Sequence, residues 1–221
     1  MDARGADRGL ESDPHGSDPR GAKPVIVVDL GCFPHRHEIS IEPLVRRYRP
    51  EVLYGFDPWP GLIVGETELE GTRVILARKA AWIADGEIEF ARVRGFRAWD
   101  STVMRQKNSR SEWSGSGAII RVPCFDFSSW VRTLNEPPIV KFDVEGAEFP
   151  ILERMVETGA DVLVEELLVE WHDDKMADFP DRRATLLARL RCPVTTWEPA
   201  TTDLLSTIRG LWRGRRALGA R

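Results

Sequence analysis

Two short stretches of the sequence hold most of the side chains that could do chemistry. The first is VVDLGCFPHRHEIS, residues 27–40, in which an apolar run ends at Asp29 and Gly31 follows almost at once. Many nucleotide-binding turns begin in this way, because a glycine lets the backbone approach a ligand closely. Cys32, His35 and His37 add three possible zinc ligands within six residues. Because no second pair of ligands occurs elsewhere, they fall short of a structural tetrahedral zinc site, and we predict no metal here.

Acidic side chains follow several apolar runs that we interpret as strands of one sheet. They are Asp29, Asp57, Asp143 with Glu145, and Glu170 with Asp173, and His172 lies between the last two. In open α/β sheets, ligands bind outside the carboxyl ends of the strands. So many acids disfavour a phosphate, whereas an acid after the second strand suits the two hydroxyls of a ribose. S-adenosylmethionine has a ribose, positive charge and no phosphate, so the pattern favours methyl transfer over hydride transfer.

The second stretch, PPIVKFDVEGAEFPIL over residues 137–152, is more specific. It resembles the signature of the FkbM family of S-adenosylmethionine-dependent methyltransferases, in which a strand runs into Lys-x-Asp-x-Glu-Gly-Ala-Glu and then a helix. The matching positions are Lys141, Asp143, Glu145, Gly146, Ala147 and Glu148. VVDLG, VLYGFDPWP, AAWIADGEIEF, CFDFSSWV and VEWH look similar to further family segments in the same order. The resemblance covers roughly residues 24–175.

This resemblance implies a Rossmann-like, doubly wound, mainly parallel sheet of the methyltransferase type, with S-adenosylmethionine as the cofactor. The implied cofactor-binding residues are Asp29, Gly31 and Cys32 in the first loop, Asp57 and Pro58 by the ribose, Ala81 and Trp82 by the adenine, and Asp143 by the amino acid moiety. The family pattern in the first loop is Asp-x-Gly-Ala-Asn-x-Gly. Here His35 replaces the last glycine of that pattern, so the loop must follow a different path.

A hydroxyl acceptor needs a base, and His172 is our first candidate because its ordinary pKa lies near 6.5. The alternative is a histidine that is only hydrogen-bonded at a strand end. Asp143 and Glu145 could assist catalysis, although Glu145 could instead accept backbone N–H groups at the next helix. Lys141 lies within a strand and is expected to be paired or to snorkel. The acids around His172 would also suit magnesium, but acid clusters are common at sheet edges without metal, so we predict none.

Alternating strand and helix signals would position these residues. Predicted strands cover 25–29, 52–57, 73–80, 119–125, 139–143, 162–171 and 193–198, and a hairpin around Asp85-Gly86 covers 80–93. Predicted helices follow Ser40 and Asp126 as caps, and two more carry Phe149 to Val156 and Leu186 to Leu190. Repeated βα units of this length imply right-handed crossovers and a mainly parallel sheet.

Length and composition indicate one domain with tails. The chain has 221 residues, of which 42% are hydrophobic, and a formal net charge of −4 that gives no general reason to bind nucleic acid. We expect a disordered tail over 1–23, a methyltransferase domain over 24–200 and a basic tail over 201–221. Three cysteines, far apart and odd in number, favour a reducing compartment, so we predict a cytoplasmic protein. No apolar stretch is long enough to span a bilayer.

The acceptor is less constrained by the sequence than the cofactor. Residues 95–117 combine aromatic and basic side chains and could form an acceptor-binding lid or a solvated loop. Basic residues rather than an apolar wall favour a polar acceptor, a hydroxyl on a small metabolite or glycan. Two alternatives stay open: a binding or scaffold domain that has lost turnover, and a nicotinamide-dependent oxidoreductase, which the missing glycines disfavour. The oligomeric state is left open.

Overall fold

The computed structural model describes residues 23–32, 40–92, 118–173 and 181–198. The strands in these ranges are β1 (Ile26–Leu30), β2 (Val52–Phe56), β3 (Gly65–Leu69), β4 (Thr72–Ala77), β5 (Ala80–Trp82), β6 (Gly86–Arg92), β7 (Ala118–Asp126), β8 (Ile139–Phe142), β9 (Glu166–Val169) and β10 (Val194–Thr196). The α-helices are α1 (Ile41–Tyr48), α2 (Phe127–Val131), α3 (Glu148–Thr158) and α4 (Asp181–Leu187), and a 3₁₀ helix covers Ala160–Leu163.

The central sheet has the strand order β10-β9-β8-β1-β2-β4-β3. Every described neighbour pair is parallel except β3 with β4. The chain builds outward from β1 through β2 and β4, and later returns to the other side of β1 with β8, β9 and β10. The strand order therefore reverses between β1 and β8, which is where open α/β sheets bind ligands. The prediction of an α/β fold with a mainly parallel central sheet is confirmed.

Helices cover both faces of this sheet. Val28 and Leu30 on one face of β1 belong to the large core that includes residues of α2 and α3. Val27 on the other face packs in a second core with Leu44 and Val45 of α1. All five residues of β1 and all four of β8 are buried, which explains why these strands are apolar apart from Asp29 and Lys141. Each fully buried large aliphatic side chain contributes about 1.5–3 kcal/mol.

The second sheet corrects the predicted hairpin. Gly86 does turn the chain with a φ of 132°, but β5 and β6 on either side of it do not pair with each other. Instead β7 lies between them, parallel to β5 and antiparallel to β6. β6 instead pairs with β7 along its whole length, and burying Val122 of β7 with Phe90 of β6 gives this sheet its own small core.

One further predicted strand is wrong in its boundaries, and one strand was not predicted. The predicted strand over 162–171 is the 3₁₀ helix followed by the four-residue β9, because Gly159 ends α3 with a φ of 72°. Buried Asp161 then holds that short helix by accepting hydrogen bonds from the backbone N–H and the side chain of Arg191. The edge strand β3 was not predicted because its sequence, GETEL, is almost wholly exposed and has no apolar alternation.

Several predictions concern residues outside the described ranges. They are the tail before residue 23, the basic tail over 201–221, the 95–117 loop, and His35 and His37 of the first loop. Within the described part of the chain, no helix combines the length and apolar character needed to cross a bilayer. Cys32, Cys124 and Cys192 are free thiols. The predicted cap Asp126 is confirmed, since it accepts the backbone N–H of Ser129 at 3.1 Å.

Candidate functional site at the carboxyl ends of the central strands

Four neighbouring strands end in register at one edge of the central sheet. Leu30 pairs with Phe56 and with Phe142, and Phe142 pairs with Val169. The residues that follow these positions are Gly31, Asp57, Asp143 and Glu170, here called the strand-end row. Backbone hydrogen bonds continue into the row, from Gly31 to Phe56 at 2.9 Å, from Asp143 to Leu30 at 3.0 Å and from Glu170 to Phe142 at 2.9 Å. The sequence prediction that these positions share one edge is confirmed.

Gly31 lies at the point where the strand order reverses. Its φ is 82°, in the region that glycine enters without steric cost. A Cβ at this position would stand 1.7 Å from the carbonyl oxygen of Asp143 and 2.8 Å from its carbonyl carbon. The turn after β1 therefore passes directly against the backbone of the turn after β8. No side chain fits between them.

Replacing Gly31 with alanine tests this contact, with Gly71→Ala as the matched control. Gly71 has the same φ of 82°, but a Cβ there meets no atom within 4 Å. Both variants carry the backbone cost of about 1–2 kcal/mol for a left-handed residue. We expect Gly31→Ala to lose about 1–3 kcal/mol more than Gly71→Ala in urea unfolding, because the backbone of Asp143 must move. Equal losses in the two variants would show that the two turns do not touch.

A buried lysine connects β1 to β8. Lys141 Nζ lies 3.2 Å from Asp29 Oδ1 and 3.2 Å from Asp143 Oδ2. Burial alone would lower the pKa of Lys141, but the charges of the two acids and their hydrogen bonds outweigh it and raise the pKa above its ordinary value. The expectation that Lys141 is paired is therefore confirmed. The lysine acts as the counter-ion that lets two acids occupy adjacent strands.

Asp29 is closed off from solvent by its two partners. Its Oδ1 faces Lys141, and its Oδ2 accepts the hydroxyl of Ser40. Ser40 was predicted to cap α1, but its side chain makes no capping hydrogen bond. That prediction is wrong because the buried carboxylate offers the hydroxyl a charged acceptor, a stronger partner than a backbone amide. Asp29 thus connects the end of β1 to the residue that precedes α1.

Cys32 points into the protein. Its Sγ lies 2.9 Å from the position that a Cβ on Gly55 would take, so the glycine of β2 makes room for the thiol. Burial raises the pKa of Cys32 well above its ordinary value, and the charges of Asp29 and Asp57 raise it further. Because thiolate is the form that binds zinc, this environment is unfavourable for a metal ligand.

The imidazole of His172 is held by one buried carboxylate. Its Nδ1 lies 2.7 Å from Glu148 Oε1, and the side chain of Glu148 has no exposed surface. Glu148 also accepts the backbone N–H of Val144 at 3.0 Å and that of Gly146 at 2.8 Å. Sequence reasoning had offered Glu145 as the possible acceptor for such N–H groups, whereas Glu148 is the residue that accepts these two. It sits at the first position of α3, so its side chain reaches back over the turn that precedes the helix.

Three other carboxylates surround the second ring nitrogen. His172 Nε2 lies 3.6 Å from Glu145 Oε1, 3.7 Å from Glu170 Oε1 and 3.9 Å from Asp143 Oδ1. Glu145 reaches this position from a backbone with a φ of 56°, which is costly for a residue with a side chain. These four residues, Asp143, Glu145, Glu170 and His172, lie in the segments that directly follow β8 and β9. They are called the His172 group below.

The His172 group has donor atoms that could hold a metal ion. One ligand atom from each of Asp143, Glu170 and His172 lies within 4.8 Å of the other two. Carboxylate oxygens with an imidazole suit a hard or borderline divalent cation. Asp173, which the sequence placed with them, instead lies 3.5 Å from Arg183 Nη1.

Of the other implied cofactor residues, Asp57 and Pro58 directly follow β2, and Ala81 and Trp82 lie in β5. Asp57 is buried, and its Oδ1 accepts the backbone N–H of Trp59 at 2.7 Å. Pro58, next to it, is half-buried. Ala81 is buried in the main core with Phe56 and Phe125, and Trp82 is half-buried where the two sheets meet.

In comparisons with known proteins, no family model, no curated protein and no solved structure matches the chain.

Proposed function

We propose that this protein is an S-adenosylmethionine-dependent methyltransferase with a Rossmann-like domain, and that it methylates a hydroxyl oxygen of a small metabolite or glycan. The strand-end row is the observation that carries the proposal. It sets a side-chain-free turn at Gly31 between Asp57 on one neighbouring strand and Asp143 on the other, at the point where the strand order reverses. A nucleoside cofactor needs close backbone approach and an acid for its ribose.

The charge of this edge supports a cationic ligand. Its acids are Asp29, Asp57, Asp143, Glu145, Glu148 and Glu170, and its basic groups are Lys141 and His172. A pyrophosphate would meet repulsion here, which argues against a nicotinamide cofactor. The sulfonium and the amino group of S-adenosylmethionine would be attracted. The residues therefore fit this cofactor better than a dinucleotide.

Individual roles follow the family resemblance. Asp57 would accept the ribose hydroxyls beside Pro58, and Gly31 would allow the first loop to approach the cofactor. Ala81 and Trp82 would lie near the adenine, and Asp143 near the amino acid moiety. Asp29 and Cys32 are buried, so they would contribute by supporting the backbone around Gly31. The three free thiols suit the reducing cytoplasm.

The reaction needs alignment and a base. Bound S-adenosylmethionine supplies an electrophilic methyl group for in-line displacement. His172 Nε2 takes the proton of the acceptor hydroxyl as the oxygen attacks. Asp143, Glu145 and Glu170 then stabilise the imidazolium that forms, since each lies within 4 Å of that nitrogen.

Transfer of a labelled methyl group from S-adenosylmethionine to a panel of sugars and hydroxylated metabolites tests this function. We expect an O-methylated product from at least one acceptor. Cofactor binding without any transfer across the panel would favour the scaffold alternative. A parallel reaction in EDTA tests whether the reaction depends on a metal ion: rates that stay equal support His172 as a base without a metal, whereas loss of activity that magnesium restores would point to a metal ion held by the His172 group.

A further inference from the structure

We infer that Lys141 is a positioning residue for the cofactor, which holds the carboxylate of Asp143 at the place of the amino acid moiety of S-adenosylmethionine. The inference rests on the proposed function, since it gives Lys141 a role in that same site. The side chain of Lys141 is only 1% exposed. Lys141 therefore acts on the cofactor through Asp143 and does not itself contact it.

The strand order determines which part of the cofactor lies near Asp143. β1 stands between β2 and β8 in the central sheet, so Gly31 lies between Asp57 and Asp143 in the strand-end row. With the ribose at Asp57 and the adenine towards β5, the amino acid moiety is the part that extends past Gly31 to Asp143. A carboxylate at this place attracts the ammonium group of that moiety.

Lys141 reaches both of its acids because of its position in β8. Asp29 is its register partner on the neighbouring strand β1, and Asp143 is two residues further along the chain. Residues two apart in an extended segment point to the same face of a sheet. The ammonium group therefore lies 3.2 Å from one carboxylate oxygen of each acid.

These contacts form a chain that runs from the core to the edge of the sheet. The side chain of Asp29 has no exposed surface, whereas that of Asp143 is 17% exposed. The backbone of Asp143 is also fixed to β1, since its N–H donates to the carbonyl oxygen of Leu30 at 3.0 Å. Asp143 is thus the member of the chain that can reach a ligand, and Lys141 is the buried support of its carboxylate.

Two variants isolate the contact between Lys141 and Asp143. Asp29→Asn keeps the ammonium group beside Asp143, whereas Asp29→Asn combined with Lys141→Met removes it. The double replacement takes away one acid and one base, so the net charge of the three side chains is the same as in the unmodified chain. A change in cofactor affinity in the double variant then reflects the placement of Asp143 and not the net charge.

Calorimetric titration of the full chain with two ligands tests the inference. S-adenosylhomocysteine and 5′-methylthioadenosine share adenine, ribose and a thioether, but only the first has the amino acid moiety. We expect the double variant to lower the affinity for S-adenosylhomocysteine roughly tenfold relative to that for 5′-methylthioadenosine, because a charge-assisted contact is misplaced. In Asp29→Asn this ratio of affinities should stay within about threefold of its value in the unmodified chain. A merely structural role of Lys141 would weaken the binding of both ligands alike.

NMR of the lysine ammonium group gives a second measurement, which needs no substitution. Burial slows the exchange of the Lys141 ammonium hydrogens with water, so its Nζ signal is distinct from that of an exposed lysine such as Lys79. Saturation with S-adenosylhomocysteine is expected to shift this signal, because the ammonium group of the ligand shares the carboxylate of Asp143. Saturation with 5′-methylthioadenosine should shift it much less.

An unchanged ratio of affinities in a folded double variant would overturn the inference, and so would an Nζ signal that S-adenosylhomocysteine does not shift. The second result applies even if the double variant fails to fold. In both cases the unmodified chain still binds the two ligands, so the proposed function stands. An unmodified chain that binds neither ligand contradicts the proposed function itself, and the inference falls with it.

Discussion

Replacing Lys141 with methionine is expected to lower the free energy of unfolding by about 3–5 kcal/mol, because it leaves buried acids without their counter-ion. The side chain of Asp29 has no exposed surface, and that of Asp143 is 17% exposed. Both lie 3.2 Å from the ammonium group that the substitution removes. Methionine fills a similar volume, so the loss reflects charge rather than packing.

The direction in which the pKa of Lys141 is shifted determines the pH at which unfolding should be measured. The pKa of Lys141 is raised in the folded protein above its unfolded value of about 10.4. The stability that this pair contributes is therefore fully present below about pH 10 and is lost as the pH rises through the folded pKa. Urea unfolding near neutral pH measures the whole effect.

Two further variants separate charge from other causes. Lys79→Met makes the same change at an exposed position and should stay within about 0.5 kcal/mol of the unmodified chain. Adding Asp29→Asn to Lys141→Met removes the deeper of the two acids and should recover part of the lost stability. A loss below about 1 kcal/mol in Lys141→Met would show that the pair is not the counter-ion arrangement described here.

Replacing His172 with alanine is expected to lower the rate of methyl transfer by about 10²–10⁴-fold while leaving the affinity for S-adenosylmethionine unchanged. An imidazole suits this role because one ring nitrogen can take a proton and later pass it on. The carboxylates that face Nε2 would stay in place, since their turn is held by Glu148. The effect should therefore fall on kcat in assays at saturating cofactor.

Asp173→Asn is the matched control for this variant. Asp173 is the next residue along the chain, but it faces Arg183 rather than the His172 group. Its rate should stay close to that of the unmodified chain. An unchanged rate in His172→Ala would remove His172 from the role of base, and an equal loss in both variants would point to a general disturbance of this edge.

The central sheet and its strand ends were predictable because strands that are buried on both faces have mainly apolar sequences. The mainly apolar sequences of β1 and β8 predicted these two strands, and the acids near their carboxyl ends indicated that the strand ends share one edge of the sheet. The pairing of Lys141 was also expected, since an unpaired charge inside a strand would be costly. These features depend on local sequence and on general rules of α/β sheets.

The rest depends on contacts between distant segments. The hydroxyl of Ser40 donates to the distant carboxylate of Asp29 instead of capping α1, because a charged acceptor is the stronger partner. In the second sheet, β5 and β6 both pair with β7, which lies far along the chain, and not with each other. Glu148 was matched in the signature but given no role, since only the fold brings it to His172. The one feature of the sequence that could have indicated a role for Glu148 is its place at the first position of the helix, just after the turn at Gly146.

Calorimetric titration with S-adenosylmethionine, beside a titration with NAD, tests the central claim most directly. We expect S-adenosylmethionine to bind and NAD not to bind. Asp57→Ala should weaken S-adenosylmethionine binding roughly tenfold or more through the lost ribose contacts, while Glu68→Ala, an exposed acid on the edge strand, should leave it unchanged. The contradicting result is an absence of heat with S-adenosylmethionine, or an affinity that a folded Asp57→Ala does not alter.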